Sequence, residues 1–474
     1  MMIWNLGNFR NNIALIDEKG LQLTYNDLLE CGNEIKDVVK DRCLVFCMCE
    51  NSIGSVVGYA SFVSNNIVPV LLNSHLEKDL LDNLIQEYNP KYIWAPERDM
   101  DEYNKYGFTK TYSKFEYVLY KTGFAVEYPL YEELCLLLTT SGSTGSPKFV
   151  RQSYKNVVAN AKSIVEYLEI DETERPITTL PMNYTYGLSI INSHLMVGAT
   201  ILVTDKGLMQ KEFWNFFKDE KATSFGGVPY TYEMLERLRF FRMDLPSLRY
   251  MTQAGGKLIP ELHKKFAEYA KDKQIKFIVM YGQCEATARM GYLPYDMAIE
   301  KCGSMGIAIP GGKFYLVDST GNVISEPEIT GELVYEGENV TLGYAECGED
   351  LIKTDERKGV LYTGDMAQFD KDGYFYIVGR KKRFLKIYGN RVNLDEIDRM
   401  IKSHFGNIEV ASTGQDDSMY IFITDDSLSK QVKDYVVFKT KLNSSAFKIV
   451  VVDEIPKNDS GKILYKELAK YYEK

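Results

Sequence analysis

The run Leu136-Leu137-Leu138-Thr139-Thr140-Ser141-Gly142-Ser143-Thr144-Gly145-Ser146-Pro147-Lys148 joins an apolar segment to a loop dense in glycine and hydroxyl residues, and it ends on a lysine. A continuous apolar run of this length suits a strand buried on both faces. Glycines let backbone N–H groups approach phosphate oxygens, hydroxyls add donors and the lysine adds charge. This is not the Walker loop, because Gly-Lys-[Ser/Thr] is missing and Pro147 stands directly before Lys148. Phe149 and Val150 read as extended, so the next helix should begin near Ser153. A plain Ser/Gly surface linker is the bland alternative, and it has no need of so apolar a strand in front of it.

The surrounding chain has 474 residues and a formal charge of −10. That length exceeds one hydrophobic core, which implies two or more domains. Apolar residues make up 45% and charged residues 26%, as in ordinary globular proteins. The acidic balance argues against a nucleic-acid partner, which needs basic surface. The eight cysteines have no zinc-type spacing, and several lie in apolar runs such as Cys135-Leu136-Leu137-Leu138. Reduced thiols in a cytoplasm are expected. Met1-Met2-Ile3-Trp4-Asn5 does not resemble a signal peptide, and no uncharged stretch is long enough for a membrane span.

Strand-like and helix-like segments alternate through roughly the first 300 residues. Leu44-Val45-Phe46-Cys47-Met48, Val68-Pro69-Val70-Leu71-Leu72 and Lys91-Tyr92-Ile93-Trp94 read as strands, residues 76 to 88 as a helix, and Thr24 with Asp27 as a helix start. Beyond about residue 300, short strands with Ser319-Thr320-Gly321-Asn322 and Asp370-Lys371-Asp372-Gly373 turns suggest a small antiparallel barrel or sheet. From Gly379 on, Asn393 with Glu396 should start a helix, Ser418 to Ile423 should form a strand, and residues 427 to 437 another helix. The fold class expected is α/β. A large domain of stacked α/β sheets (1–379, with a β-barrel-like subdomain over about 300–379) precedes a small, mobile α+β domain (380–474).

The opening loop resembles that of the adenylate-forming superfamily: acyl-CoA synthetases, peptide-synthetase adenylation domains and luciferases. That family's loop reads [Ser/Thr]-[Ser/Thr]-Gly-[Ser/Thr]-Thr-Gly-x-Pro-Lys, and Thr140 to Lys148 fits throughout. Four further segments are similar to family motifs: Gln253-Ala254-Gly255-Gly256-Lys257, Met280-Tyr281-Gly282-Gln283-Cys284-Glu285, Leu361-Tyr362-Thr363-Gly364-Asp365 and Pro456-Lys457-Asn458-Asp459-Ser460-Gly461-Lys462. The resemblance runs from about residue 11 to 470, and an enzyme acting without an appended carrier or condensation domain is expected.

The resemblance implies an enzyme that uses ATP and Mg²⁺ to turn a small carboxylic acid into its acyl-adenylate, then passes the acyl group to a thiol of CoA or of a carrier protein's phosphopantetheine. Thr140, Ser141, Gly142, Ser143, Thr144, Gly145 and Lys148 would hold phosphates. Ala254, Gly255, Gly256, Tyr281, Gly282, Gln283 and Cys284 would line the nucleotide site, Asp365 would take the ribose hydroxyls, and Arg380 the ribose or phosphates. Glu285 would help to hold the metal. Lys382 falls at the hinge position, Lys386 and Gly389 where the thiol enters, and Lys462 would stabilise the transition state from the small domain. Cys284 stands where relatives carry threonine, and a thiol donates weakly. Lys381 and Arg383, in the basic run Arg380-Lys381-Lys382-Arg383, read as a solvated face.

Tyr184, Tyr186 and Gly187 lie where relatives build the acyl pocket. Residues 176 to 203 contain no Asp or Glu, so a substrate ammonium would have no partner there, and an acid without one is expected. A ligase that transfers to an amine or a stand-alone carrier protein, an amino-acid-activating enzyme, and a nucleotide-binding protein without chemistry are the rival readings.

Overall fold

Leu44–Cys49 is buried along its whole length, and its side chains alternate between two cores. Val45, Cys47 and Cys49 enter one cluster, with Leu28, Val56 and Leu195. Leu44, Phe46 and Met48 enter the other, with Leu84, Ile93 and Phe149. This two-sided burial explains why the sequence shows an unbroken apolar run rather than a polar/apolar alternation. The strand pairs in parallel with Val68–Asn73 and Tyr92–Pro96, and Val68–Asn73 pairs in parallel with Leu134–Thr139. Antiparallel strands extend both edges, Phe149–Ser153 and Gly343–Ala345 on one side and Tyr117–Lys121 and Thr109–Lys114 on the other, giving eight strands. The computed structural model describes residues 3–471 apart from 126, 140–147, 382, 389, 407 and 458–462.

Helix starts follow their sequence signals. Thr24 Oγ1 accepts from Asp27 N at 3.1 Å, and Asp27 Oδ2 accepts from Thr24 N at 2.6 Å, which closes a capping box on Tyr25–Val39. Ser153 and Asn156 make the same exchange at the start of Tyr154–Leu168. The helix Ile53–Ser64 is buried except at its end and crosses Trp94 at Gly58, where a Cβ would overlap the indole. Trp94 Nε1 donates to Gly54 O at 2.9 Å.

A second sheet carries most of the site. Ser224–Gly227, Tyr250–Gln253 and Lys276–Gly282 run parallel, then Arg289–Tyr292 and Ile307–Ala308 add antiparallel. Single-residue bridges at Pro176–Ser224 and Ile177–Leu202 join it to the three-stranded sheet of Ile201–Val203, Ile13–Asp17 and Gln22–Thr24. Five antiparallel strands follow in the order Val323–Ile324, Gly312–Val317, Gly331–Gly337, Val360–Phe369 and Phe375–Arg380. Their turns form where the sequence places them: Asp318 Oδ1 accepts from Thr320 N and Asn322 N, and Asp370 Oδ1 from Asp372 N and Tyr374 N.

The C-terminal segment builds its own core. The hairpin Phe384–Ile387/Asn390–Asn393, the helices Leu394–Phe405 and Ser429–Thr440, and the sheet Val410–Gln415/Ser418–Ile423/Phe447–Val451 share one hydrophobic cluster. Asn393 Oδ1 caps the first of these helices by accepting from Asp395 N and Glu396 N. Among the described residues no helix is long and apolar enough to cross a membrane. All eight cysteines are free thiols, and five of them (Cys31, Cys43, Cys47, Cys49 and Cys135) lie in the same core cluster.

Two buried histidines set an acid limit on stability. His194 Nδ1 lies 2.8 Å from Ile190 O, which can only accept, so Nδ1 carries the proton and Nε2 accepts from Tyr250 Oη at 2.9 Å. His263 has the opposite tautomer, with Nε2 donating to Ala298 O at 2.9 Å. Burial is the largest cause that pushes both down to about 4. A folded-state value below the unfolded 6.5 makes the contribution complete above pH 6.5 and lost as pH falls toward 4. Each site accounts for about 3 kcal/mol over that window. Thermal unfolding between pH 7 and 4.5 should therefore show a steep fall, shallower in His263→Gln. Parallel slopes for the two proteins would contradict the assignment.

Candidate active site

The strand Tyr250–Gln253 ends on the turn Ala254-Gly255-Gly256, which Gln253 braces by donating from Nε2 to Gly256 O at 2.9 Å and to Ala254 O at 3.2 Å. Gly255 has φ +82, and a Cβ there would lie 2.8 Å from Tyr184 Oη. The turn therefore needs glycine both for its backbone and for the ring beneath it. The adjacent strand ends at Tyr281 and Gly282, and it delivers Gln283, Cys284 and Glu285 to the same mouth.

Asp365 sits on the strand Val360–Phe369 and is 7% exposed. Its Oδ2 accepts from Tyr281 Oη at 2.5 Å and from Gln283 Nε2 at 2.9 Å, while Gln283 Nε2 also reaches Thr363 O at 3.0 Å. Arg380, its cross-strand partner, places Nε 3.7 Å from Oδ1. Burial raises the Asp365 pKa, against the opposing pull of Tyr281, Arg380 and Gln283. Tyr281, Gln283, Asp365 and Arg380 thus form one cluster, and among the described residues no hydrogen bond takes Oδ1, which can accept from a polar ligand such as a vicinal diol.

A second cluster forms around Tyr344, which sequence reading did not single out. Its hydroxyl donates to Glu285 Oε1 at 2.7 Å. Its ring carries Lys148 Nζ 3.8 Å from the centroid and the Arg357 guanidinium carbon at 4.6 Å. Arg357 Nη1 also donates to Glu285 O at 3.3 Å and to Thr341 Oγ1. Burial, then the Glu285 charge, raises the Tyr344 pKa, so the phenol keeps its proton and donates. Two cations around one carboxylate leave a net positive field suited to a polyphosphate. Among the described residues no hydrogen bond reaches Glu285 Oε2. A lone hard oxygen beside a phosphate site fits Mg²⁺, which keeps its remaining positions for phosphate and water.

Tyr186 is buried and donates to Thr252 Oγ1 at 2.7 Å. Tyr184 meets it edge-on at 6.3 Å between centroids. Gly187 lies against the backbone of Pro181, which leaves no room for a side chain. Tyr184 lies against the glycine turn at Gly255 and Tyr186 against Gly226 of the parallel strands.

Residues 140–147, Lys382, Gly389 and Lys462 lie outside the described residues, as does the Lys386 side chain. On either side of 458–462, Leu464 N donates to Pro456 O at 2.9 Å and Lys457 bridges Ile463. Lys457 Nζ lies 5.7 Å from the ring of Tyr230, on the large N-terminal part.

One expectation fails. Arg383 is not a solvated side chain. Its Nε pairs with Asp395 Oδ1 at 2.5 Å, its Nη2 with Asp398 Oδ2 at 3.0 Å, and its guanidinium lies 3.8 Å from the centre of the Tyr465 ring. Two carboxylates and an aromatic face compensate its burial, which a basic run alone does not reveal. Lys381 does remain largely exposed, paired with Glu332 at 2.6 Å.

The family model described as AMP-binding enzyme matches residues 4–345. The chain belongs to the AMP-binding enzyme family. Among curated relatives of this AMP-binding enzyme, peroxisomal OPC-8:0-CoA ligase 1 of Arabidopsis thaliana is 30% identical over 354 residues, covering 72% of this chain and 64% of that protein. The chain thus spans under two thirds of that relative's length. The 2-succinylbenzoate–CoA ligase of Bacillus mycoides (strain KBAB4) is 28% identical over 356 residues, covering 72% and 71%. Among solved structures, ATP-bound MatB from Rhodopseudomonas palustris superposes with a TM-score of 0.80 at 22% identity, covering 100% of this chain and 99% of that one. MenE from Bacillus subtilis with its acyl-adenylate intermediate OSB-AMP gives 0.76 at 20%, covering 96% and 95%. The structural likeness establishes the α/β architecture with a smaller C-terminal part.

Proposed function

We propose that this AMP-binding enzyme uses ATP to activate a carboxylic acid as its acyl-adenylate and then transfers the acyl group to the thiol of CoA. The observation that carries the reading is the pair of clusters in one mouth: Asp365 with Tyr281 and Gln283 for a nucleoside, and Lys148, Arg357 and Glu285 around Tyr344 for its phosphates. Both relatives are named as CoA ligases, which supports CoA as acceptor. The free thiols support a reducing compartment such as the cytoplasm.

In this mechanism Tyr281 and the 254–256 turn hold adenine, and Asp365 accepts from the ribose hydroxyls. Lys148 and Arg357 offset phosphate charge. Glu285 would hold Mg²⁺, which when bound neutralises charge on the phosphates. A substrate carboxylate oxygen attacks the α-phosphorus, the bond to the bridging oxygen breaks, and pyrophosphate leaves with that electron pair. Lys462 adds positive charge as the transition state forms. The residues from 380 onward form a domain that then turns about Lys382. Lys386 and Gly389 face the adenylate, the thiol sulfur attacks the acyl carbonyl, and AMP departs.

ATP–pyrophosphate exchange across a panel of carboxylic acids, followed by thioester formation on adding CoA, tests this reading. Exchange with no acid would defeat it, and adenylate that forms but never reaches CoA would point to a carrier protein or an amine. The hinge has its own test. Lys382→Pro fixes φ and hinders rotation, so thioester formation should fall by about tenfold more than exchange. Equal loss in both half-reactions would mean plain destabilisation.

A further inference from the structure

Among the described residues three arginine side chains are deeply enclosed, and one of them differs from the others. Arg151 is 0% exposed, and its guanidinium is saturated by Glu356 Oε2 at 2.5 Å and the carbonyls of Tyr344, Lys353 and Thr354. Arg383 has its two aspartates. Arg289, 3% exposed, has no carboxylate partner among the described residues. Its Nε donates to Ser189 Oγ at 3.1 Å and its Nη1 to Tyr167 Oη at 3.0 Å, and it lies 5.2 Å over the Tyr186 ring. Two of its five N–H donors are used by these bonds, and no hydrogen bond to a described residue engages Nη2.

The surroundings of Arg289 are neutral. Burial keeps the Tyr167, Tyr186 and Tyr250 phenols protonated and holds His194 uncharged. A buried guanidinium without a counter-charge is costly, and a bound anion would supply the missing charge. The position agrees. Arg289 pairs across the sheet with Gly282, four residues after Glu285, and it stacks on Tyr186, which touches Thr252 and backs onto Gly226. It therefore faces the region between the nucleotide mouth and Tyr184–Gly187.

We propose that Arg289 is a specificity-determining residue that binds a second anionic group, in the first instance a carboxylate, on the acyl part of the acid. The free Nη2 edge receives that anion while the other carboxylate reacts with ATP. The inference rests on the acid-activating reading and narrows its substrate to a dianion, in keeping with the lack of any acidic side chain over residues 176 to 203.

The test sets malonate, succinate, glutarate and phthalate each against its monomethyl ester, which keeps one carboxylate and removes the second charge. Binding by calorimetry and pyrophosphate exchange are both read, for the wild type, Arg289→Gln and Arg289→Lys. At least one diacid should bind about thirtyfold more tightly than its ester. Arg289→Gln, which keeps an amide N–H near the Nε position to donate to Ser189, should erase that ratio, and Arg289→Lys should retain part of it. KM for ATP should not move. Equal binding of every diacid and its ester by the wild type, or an undiminished ratio in folded Arg289→Gln, overturns the proposal. A ratio abolished by Arg289→Gln with no pyrophosphate exchange from any diacid or ester supports the anion site and instead counts against acid activation.

Discussion

Replacing Lys462 with alanine is expected to cut ATP–pyrophosphate exchange by well over tenfold while ATP binding stays near wild type. The reason is the separation of roles. The nucleoside cluster (Tyr281, Gln283, Asp365) and the phosphate cluster (Lys148, Arg357, Glu285) are complete without any residue beyond Arg380. Lys462 belongs instead to a segment whose flanks are tied by Leu464 N to Pro456 O and whose Lys457 reaches Tyr230. A charge delivered from there acts on the transition state and not on the ground-state pocket. Tenfold corresponds to about 1.4 kcal/mol of barrier, and a preorganised charge contributes about twice that or more. Thiol transfer to a separately prepared acyl-adenylate should be nearly unchanged. Exchange surviving above about a tenth of wild type would remove Lys462 from its assigned role.

Asp365→Ala should act on the other term. It removes the acceptor shared by Tyr281 and Gln283 and leaves two donors in a poorly solvated cluster. Each hydrogen bond to a charged group is worth about 1.5–3 kcal/mol, so KM for ATP should rise by about a hundredfold or more. Asp365→Asn, which retains one acceptor oxygen, should fall between. The informative comparison is with a nucleotide lacking ribose hydroxyls. If 2′,3′-dideoxy-ATP is used equally well by the wild type and by Asp365→Ala, the prediction stands. If the variant still discriminates against it as strongly as the wild type, the ribose contact lies elsewhere.

The fold was legible where burial leaves an unambiguous pattern. Leu44–Cys49 and Leu134–Thr139 read as strands because both faces are covered, and the starts at Thr24, Ser153 and Asn393 read from capping chemistry that is local in sequence. The site was legible only in part. Asp365, Tyr281 and Glu285 are expected from family motifs, and the structure sets Tyr281 beside Asp365 and Glu285 beside Tyr344. Tyr344 is not, because its meaning comes from Lys148 and Arg357 meeting on its faces after Gly343–Ala345 pairs with Phe149–Ser153. Arg383 was misread for a similar reason. Whether a basic side chain is solvated depends on Asp395, Asp398 and Tyr465, which reach it only once the C-terminal helices pack. Arg289 adds the converse: nothing local distinguishes an arginine that has a counter-charge from one that lacks it.

The sheltered cysteines bear on how the protein would withstand the proposed acyl transfer. An acyl-adenylate is a strong acylating agent toward any thiolate, and CoA brings disulfides and thioesters that exchange with one. Burial pushes the Cys43 thiol up to about 12, and it raises Cys135 and Cys31 as well. Burial therefore keeps these thiols protonated well beyond an ordinary exposed thiol. Set between the sheet and its covering helices, these sulfurs serve as apolar filler. They are poor nucleophiles, so in the proposed reaction the acceptor thiol would meet little rivalry from that part of the protein.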